Sequence, residues 1–195
     1  MAGIGTSAAL PTVVTAADGV ARCRWATENG RDLRSYHDQE WGVPTRDDAA
    51  LFELLALTYF ENGLSWAAVF DKRNNLRQAF CGFAPASVAE MTPDDVERLM
   101  ADASIIRNRR KIEATVHNAR QLSKCSLAQL SWQHEPRQRY RIRSWDDGRM
   151  TSPESIRLSV ALRDAGFQMI GPVVAHSFMQ TAGIENGHFE GCFRA

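Results

Sequence analysis

The sequence predicts a mainly α-helical protein, and three observations carry that reading. Apolar residues recur at 3.6-residue spacing in several windows, Thr-Pro, Ser-Pro and Gly-Pro pairs stand where helices should begin, and no window alternates apolar with polar residues as a half-buried strand would. Along the chain, Thr45 ahead of Asp48 looks like a capping box, and Leu51, Phe52, Leu55 and Tyr59 form an apolar stripe ending at Gly63. Trp66, Val69, Phe70, Leu76 and Phe80 mark a second helix up to the CGFAP break, with Asn74-Asn75 weakening its middle. Thr92-Pro93 supplies an N-cap and an N1 proline for a helix to about Asp102, and Arg107 to Lys124 carries Ile112, Val116 and Ala119 on one face. Ser152-Pro153 opens a helix closed by Gly166, and Gly171-Pro172 opens another that ends near Gly183. The polar, arginine-rich stretch 132–150 reads as an exposed loop, which leaves roughly seven or eight helices in all.

At 195 residues the chain can bury a core without disulfide staples. Lys plus Arg equals Asp plus Glu at 23 each, so no global positive field exists and any nucleic-acid surface has to be a local patch. Residues 1–20 contain no Lys or Arg and are interrupted by Pro11, which does not fit a secretory signal; they read as a flexible extension ahead of a single helical domain, 21–195. No apolar run is long enough to span a membrane, and a cytoplasmic protein is expected. The four cysteines, Cys23, Cys81, Cys125 and Cys192, then favour free thiols or metal ligands over disulfides.

The stretch GHFEGC near the C-terminus sets His188 and Cys192 four residues apart, a spacing that suits two corners of a tetrahedral metal site. The pair also fits a buried cysteine beside an unrelated histidine, and taken alone it leaves both readings open. Two more residues of ligand type, Cys23 and His37, stand in the early segment RCRWATENGRDLRSYHDQEWG.

Several blocks then coincide: C-x-W at Cys23 to Trp25, YHDQEWGVP at Tyr36 to Pro44, GLSW at Gly63 to Trp66, IIRNRRKI at Ile105 to Ile112, and SFMQ followed by H-x-x-x-C. Together they resemble the 3-methyladenine DNA glycosylase I family over nearly the whole chain from Arg22 to Cys192. The resemblance implies a helix-hairpin-helix DNA glycosylase-like domain whose N- and C-terminal segments are clasped by one structural zinc, with Cys23, His37, His188 and Cys192 as ligands. It implies a base excision repair enzyme that flips an alkylated purine out of duplex DNA and hydrolyses its N-glycosidic bond, acting as a monomer without an obligate protein partner. Trp66 and Tyr36, with Trp25 as a third ring, fall where the family stacks on the cationic base. Leu64 falls where the family touches the opened duplex, and Arg107, Arg109, Arg110 and Lys111 fall in its phosphate-gripping hairpin.

Three positions depart from the family pattern. Where the family carries a pocket glutamate, five residues before the glycine of GLSW, this chain has Thr58. Glu61, one helical turn along, is the nearest substitute carboxylate, so Thr58 and Glu61 are the positions on which catalysis turns. Leu33 replaces a tyrosine expected shortly before YH, which implies a second altered pocket wall. Ser104 replaces a glycine in the hairpin, which implies a reshaped turn if positive φ is required there. Besides the 3-methyladenine enzyme, these departures fit a paralogue for another damaged base, or a catalytically silent lesion-binding protein.

Overall fold

The computed structural model describes residues 10–27 and 33–195, and among these it is mainly helical. Its helices are α1 (Arg34–Gln39), α2 (Asp48–Glu61), α3 (Trp66–Ala79), α4 (Pro85–Ala89), α5 (Pro93–Ala101), α6 (Arg109–Gln121), α7 (Leu127–Trp132), α8 (Pro153–Asp164) and α9 (Pro172–Thr181). The centre is α2, where Leu51, Phe52, Leu55, Ala56, Tyr59 and Phe60 are fully buried and α3, α6, α7 and α9 pack around it. A helix apolar on so much of its circumference can only be an interior one. Its cap differs from expectation: Asp47, not Thr45, accepts the Ala50 N–H at 2.8 Å. Asp48 is thereby released to accept from Ser126 Oγ and the Ala128 N–H at 3.1 and 2.6 Å, which fixes the start of α7 against α2.

The starts read at Thr92, Ser152 and Gly171 all open helices, with reciprocal capping boxes at Thr92 and Ser152, and α3 runs unbroken through Asn74-Asn75. The short helices α1, α4 and α7 have five or six residues each, too few for a periodic pattern to stand out.

Residues 10–20 correct the flexible-extension reading within the described part of 1–20; residues 1–9 lie outside the described residues. Strand β1 (Val13–Thr15) pairs antiparallel with β2 (Ala21–Cys23), so the expected boundary at 20/21 cuts a hairpin in half. Each strand has three residues, below the length at which alternation can be recognised. In the 132–150 loop, Ile142 forms a lone parallel bridge with Phe189, and the Glu190 N–H donates to the Ile142 carbonyl at 2.7 Å.

At the CGFAP break, Cys81, Gly82 and Phe83 lie at φ 54°, 67° and 54°. Two non-glycine residues there cost about 1–2 kcal/mol each, a cost offset by turning Phe83 back into the core against Phe80 and Phe52, with ring centroids 5.3 and 6.1 Å away. The same turn leaves Cys81 exposed, and Cys125 is half-buried.

Candidate functional site

Cys23 at the end of β2, His37 in α1, and His188 and Cys192 in the C-terminal segment converge in the interior, all four buried, with their ligand atoms within 4.8 Å of one another. Cys192 Sγ lies 3.4 Å from His37 Nε2 and 3.8 Å from His188 Nδ1, and Cys23 Sγ lies 3.6 Å from His188 Nδ1. A tetrahedron with metal–ligand bonds of 2.0–2.3 Å has edges of roughly 3.6 Å, so the four groups already stand at the spacing that such an ion requires. A divalent cation held by these four groups would take both cysteines as thiolates.

A chain of ion pairs fixes the cluster from outside. His37 Nδ1 is 2.8 Å from Asp38 Oδ1, which leaves Nε2 as the ligand atom. Arg22 holds Asp38 with three contacts of 2.7–3.0 Å and reaches Asp18 in the β-hairpin turn at 2.9 Å. The hydrogen bond from Arg22 keeps the Asp38 carboxyl below its usual range. Asp38 directly follows His37 in the sequence and signals this role; Arg22 and Asp18 carry no such signal. On the other side, Gly42 at φ 73° packs against His188, where an added Cβ would stand 2.7 Å from Nε2.

Trp25 joins this cluster to a cleft. Its ring is 5.1 Å from His37, 6.4 Å from Tyr36 and 6.3 Å from Trp66. Trp66, in the first turn of α3, stacks on Phe70 one turn later at 4.7 Å, and Tyr36 edges both rings at 5.7 and 5.0 Å. The three expected aromatics are thus in mutual contact, but only Tyr36 and Trp66 line the cleft, with Trp25 packed behind them; Phe70 is a further lining ring that the sequence showed only as part of an apolar stripe. Thr58 and Glu61 line the same cleft from α2. The Thr58 hydroxyl donates to the Leu54 carbonyl at 2.8 Å and is satisfied within its own helix. The Glu61 carboxylate makes no hydrogen bond or ion pair among the described residues, and burial pushes its pKa up to about 7. Burial, with the Glu61 charge next, raises the Tyr36 phenol.

Arg73, on the opposite wall, lies 4.2 Å above the Phe70 ring and 5.2 Å above the Tyr36 ring, and Glu40 neutralises it through contacts of 3.1 and 3.3 Å. Leu33 is buried where α1 begins and does not line the cleft, so the expected second altered wall is not found there.

The turn 102–108 joins α5 to α6. Lys72 donates to the carbonyls of Ala103, Ser104 and Ile105 at 3.2, 2.8 and 3.4 Å, anchoring the turn to α3. Ser104 has no positive φ, so the serine brings no strain. Of the four basic residues assigned to phosphates, Lys111 requires correction. It is 5 % exposed, and its ammonium donates to the carbonyls of Phe60 and Asn62 at 2.8 and 2.6 Å, capping the end of α2 beneath the turn that carries Leu64 and Trp66. Arg109 forks onto Glu97 at 2.7 and 2.8 Å. Arg107 and Arg110 are exposed and form no ion pair among the described residues, and Leu64 is 47 % exposed at the tip of its turn.

An aromatic cleft beside a buried Cys2His2 cluster, on a mainly helical frame, is the arrangement of a base-binding helical glycosylase with a clasped C-terminus. The methyladenine glycosylase family model matches residues 25–195, and the chain belongs to that family. It is 38% identical to the DNA-3-methyladenine glycosylase 1 of Escherichia coli K12 over 179 residues, covering 88% of this chain and 95% of the relative. A crystal structure of 3-methyladenine DNA glycosylase I superposes with a TM-score of 0.81 at 38% identity, covering 88% of this chain and 98% of the other. A substituted 3-methyladenine DNA glycosylase I in complex with 3-methyladenine superposes with a TM-score of 0.81 at 32% identity, covering 89% of this chain and 96% of the other.

Proposed function

We propose that the chain is a monofunctional DNA-3-methyladenine glycosylase that receives the alkylated purine in the cleft of Trp66, Tyr36 and Phe70, with Trp25 supporting the first two rings, and that Glu61 supplies the carboxylate which Thr58 cannot. The observation that carries this reading is the half-buried Glu61 carboxylate, which has no partner among the described residues, in a cleft lined also by Tyr36, Trp66 and Phe70 and by two arginines, Arg73 and Arg77, that are paired with Glu40 and Glu53. A buried charge without a partner is expensive, and the natural partner here is a cation that enters the cleft. A purine methylated at N3 is such a cation, and its positive charge already activates the glycosidic bond. The stacked rings hold it by cation–π attraction, and ionised Glu61 favours the bound cation and the oxocarbenium-like sugar that forms as the bond breaks. Water then completes the displacement at the sugar carbon.

A covalent route through lysine finds no support. The chain has three lysines. Lys72 and Lys111 are committed to backbone carbonyls, and Lys124 donates to Gln121 at 3.2 Å. The four-residue cluster is the site of a structural zinc in this reading: the Cys2His2 set leaves no open coordination position, so the ion crosslinks β2, α1 and the C-terminal segment and takes no part in chemistry.

The test is to incubate the purified protein with methylated genomic DNA and identify released bases by mass spectrometry, in parallel with Thr58→Glu and Glu61→Gln. Release of 3-methyladenine by the wild type, its loss in Glu61→Gln and its increase in Thr58→Glu are expected. A wild type that releases no base while Thr58→Glu does would make the natural protein a silent lesion binder. Release of a different base would make it a paralogue of altered specificity.

A further inference from the structure

In the arginine-rich segment that the sequence leaves as a loop, alternate residues Arg139, Arg141 and Arg143 are exposed. Residues 137–149, RQRYRIRSWDDGR, hold five arginines against two aspartates in a chain whose total charge is zero. Tyr140 and Ile142 turn inward onto the apolar cluster that contains Cys23, Phe189 and Cys192, while Arg139, Arg141 and Arg143 are exposed. The Ile142–Phe189 bridge ties this stretch to the C-terminal segment.

The arginines are poorly neutralised by the protein itself. Arg141 and Arg143 share a single carboxylate, Glu190, each at 3.4 Å, with 72% and 73% of their own side chains exposed. Exposed pairs of that kind are worth little and are readily exchanged for a better anion. Asp147 is occupied in accepting from the Arg143 and Ser144 N–H groups at 2.8 and 3.2 Å. Arg137 and Arg139 form no ion pair among the described residues. Trp145, 52 % exposed, stands beside them with its ring edge on Phe189 at 4.6 Å. The helical hairpin, by contrast, keeps two of its four basic side chains for protein contacts, so the expected phosphate grip is under-supplied where the sequence places it. Trp25 packs on the same apolar cluster as Tyr140 and also edges Trp66, so the strip lies within a few side chains of the base cleft.

We propose that Arg139, Arg141 and Arg143 form a second contact for the DNA phosphate backbone, separate from the α5–α6 hairpin. This rests on the reading of the chain as a DNA glycosylase and adds a site to it. Such a contact carries no sequence information, so it should contribute equally to damaged and undamaged duplex and be strongly salt-dependent.

The experiment compares the full-length wild type with Arg139→Ala/Arg141→Ala/Arg143→Ala, binding a duplex two helical turns long with a central abasic-site analogue and the same duplex undamaged, between about 50 and 200 mM salt. Expected are a slope of log affinity on log salt smaller by about 2–3, and at least a ten-fold loss of affinity for both duplexes. The triple lysine variant should recover most of the slope, and melting temperatures equal to wild type would show that the fold is unchanged. A wild type that binds both duplexes while the alanine variant binds them with the same affinity and slope overturns this contact and leaves the glycosylase reading intact. A wild type that binds neither duplex removes both.

Discussion

The Cys2His2 cluster and the aromatic cleft are linked by Trp25, whose ring contacts His37 on one side and Tyr36 and Trp66 on the other, yet they are built on opposite principles. At the cluster each ligand is fixed by more than its partners: His37 by the Asp38–Arg22–Asp18 chain, His188 by the close approach of Gly42, and Cys23 and Cys192 by N–H groups of Phe189 and Arg194 at 3.4 and 3.5 Å. At the cleft the Glu61 carboxylate makes no hydrogen bond or ion pair among the described residues, while Thr58 is satisfied within its own helix. A buried polar group without a partner needs an explanation, and a cleft is where a ligand can provide it. Closure marks the part that holds the chain together; incompleteness marks the part that binds.

The largest effect should come from breaking the closed region. Cys23→Ser should lose the bound metal and lower the melting temperature by on the order of 10 °C or more, since a structural zinc contributes several kcal/mol to folding. Metal analysis and calorimetry check this, with one zinc per wild-type chain expected. Zinc-free wild-type protein of unchanged stability would remove the contrast between the two regions.

At the cleft, Glu61→Gln should lower release of 3-methyladenine by about a hundred-fold at pH 8. The wild-type rate should climb as the pH rises through about 7, where Glu61 ionises, and the variant should show no such rise. Stability should move the other way. The folded pKa is raised from 4.5, so the contribution of Glu61 is complete below that value and is lost as the pH rises through about 7. Glu61→Gln should therefore be more stable than wild type at pH 8, by about 1–3 kcal/mol after allowance for partial exposure. Gain in stability together with loss of activity is the signature of a group strained for binding. Loss of both would return Glu61 to a structural role.

Smaller effects should separate the remaining groups. Trp66→Ala should weaken excision or lesion binding by ten-fold or more, the loss of one stacking contact worth about 1–3 kcal/mol, with the melting curve little changed. Arg107→Ala and Arg110→Ala should each reduce the salt dependence of duplex binding by a slope of about 1. Lys111→Gln should leave that slope unchanged and lower stability instead, because its ammonium caps α2 and meets no solvent-exposed anion. A change of slope on Lys111→Gln would restore it to the phosphate surface.

Long-period features were legible from the residues alone. The apolar stripe of α2, the Thr92, Ser152 and Gly171 starts, and the glycines that end α8 and α9 depend on local backbone chemistry, which acts over three or four neighbours and is therefore written in the order of residues. The four ligand-type residues and three rings could be named in the same way, because few residue types offer that chemistry. What tertiary structure decided was partnership. Whether a charge faces water, an anion or a carbonyl depends on segments far away in sequence: Lys111 ends under α2, 49 and 51 positions back, and Asp48 caps a helix 78 to 80 positions on. The hairpin at residues 13–23 and the arginine strip are short or irregular segments whose conformation comes from packing on the Cys23–Cys192 cluster, so no local pattern announces them. Sequence supplied the groups capable of chemistry; only the assembled fold determined that Lys111 is spent on the protein itself and that Glu61 lies in the cleft without a partner among the described residues.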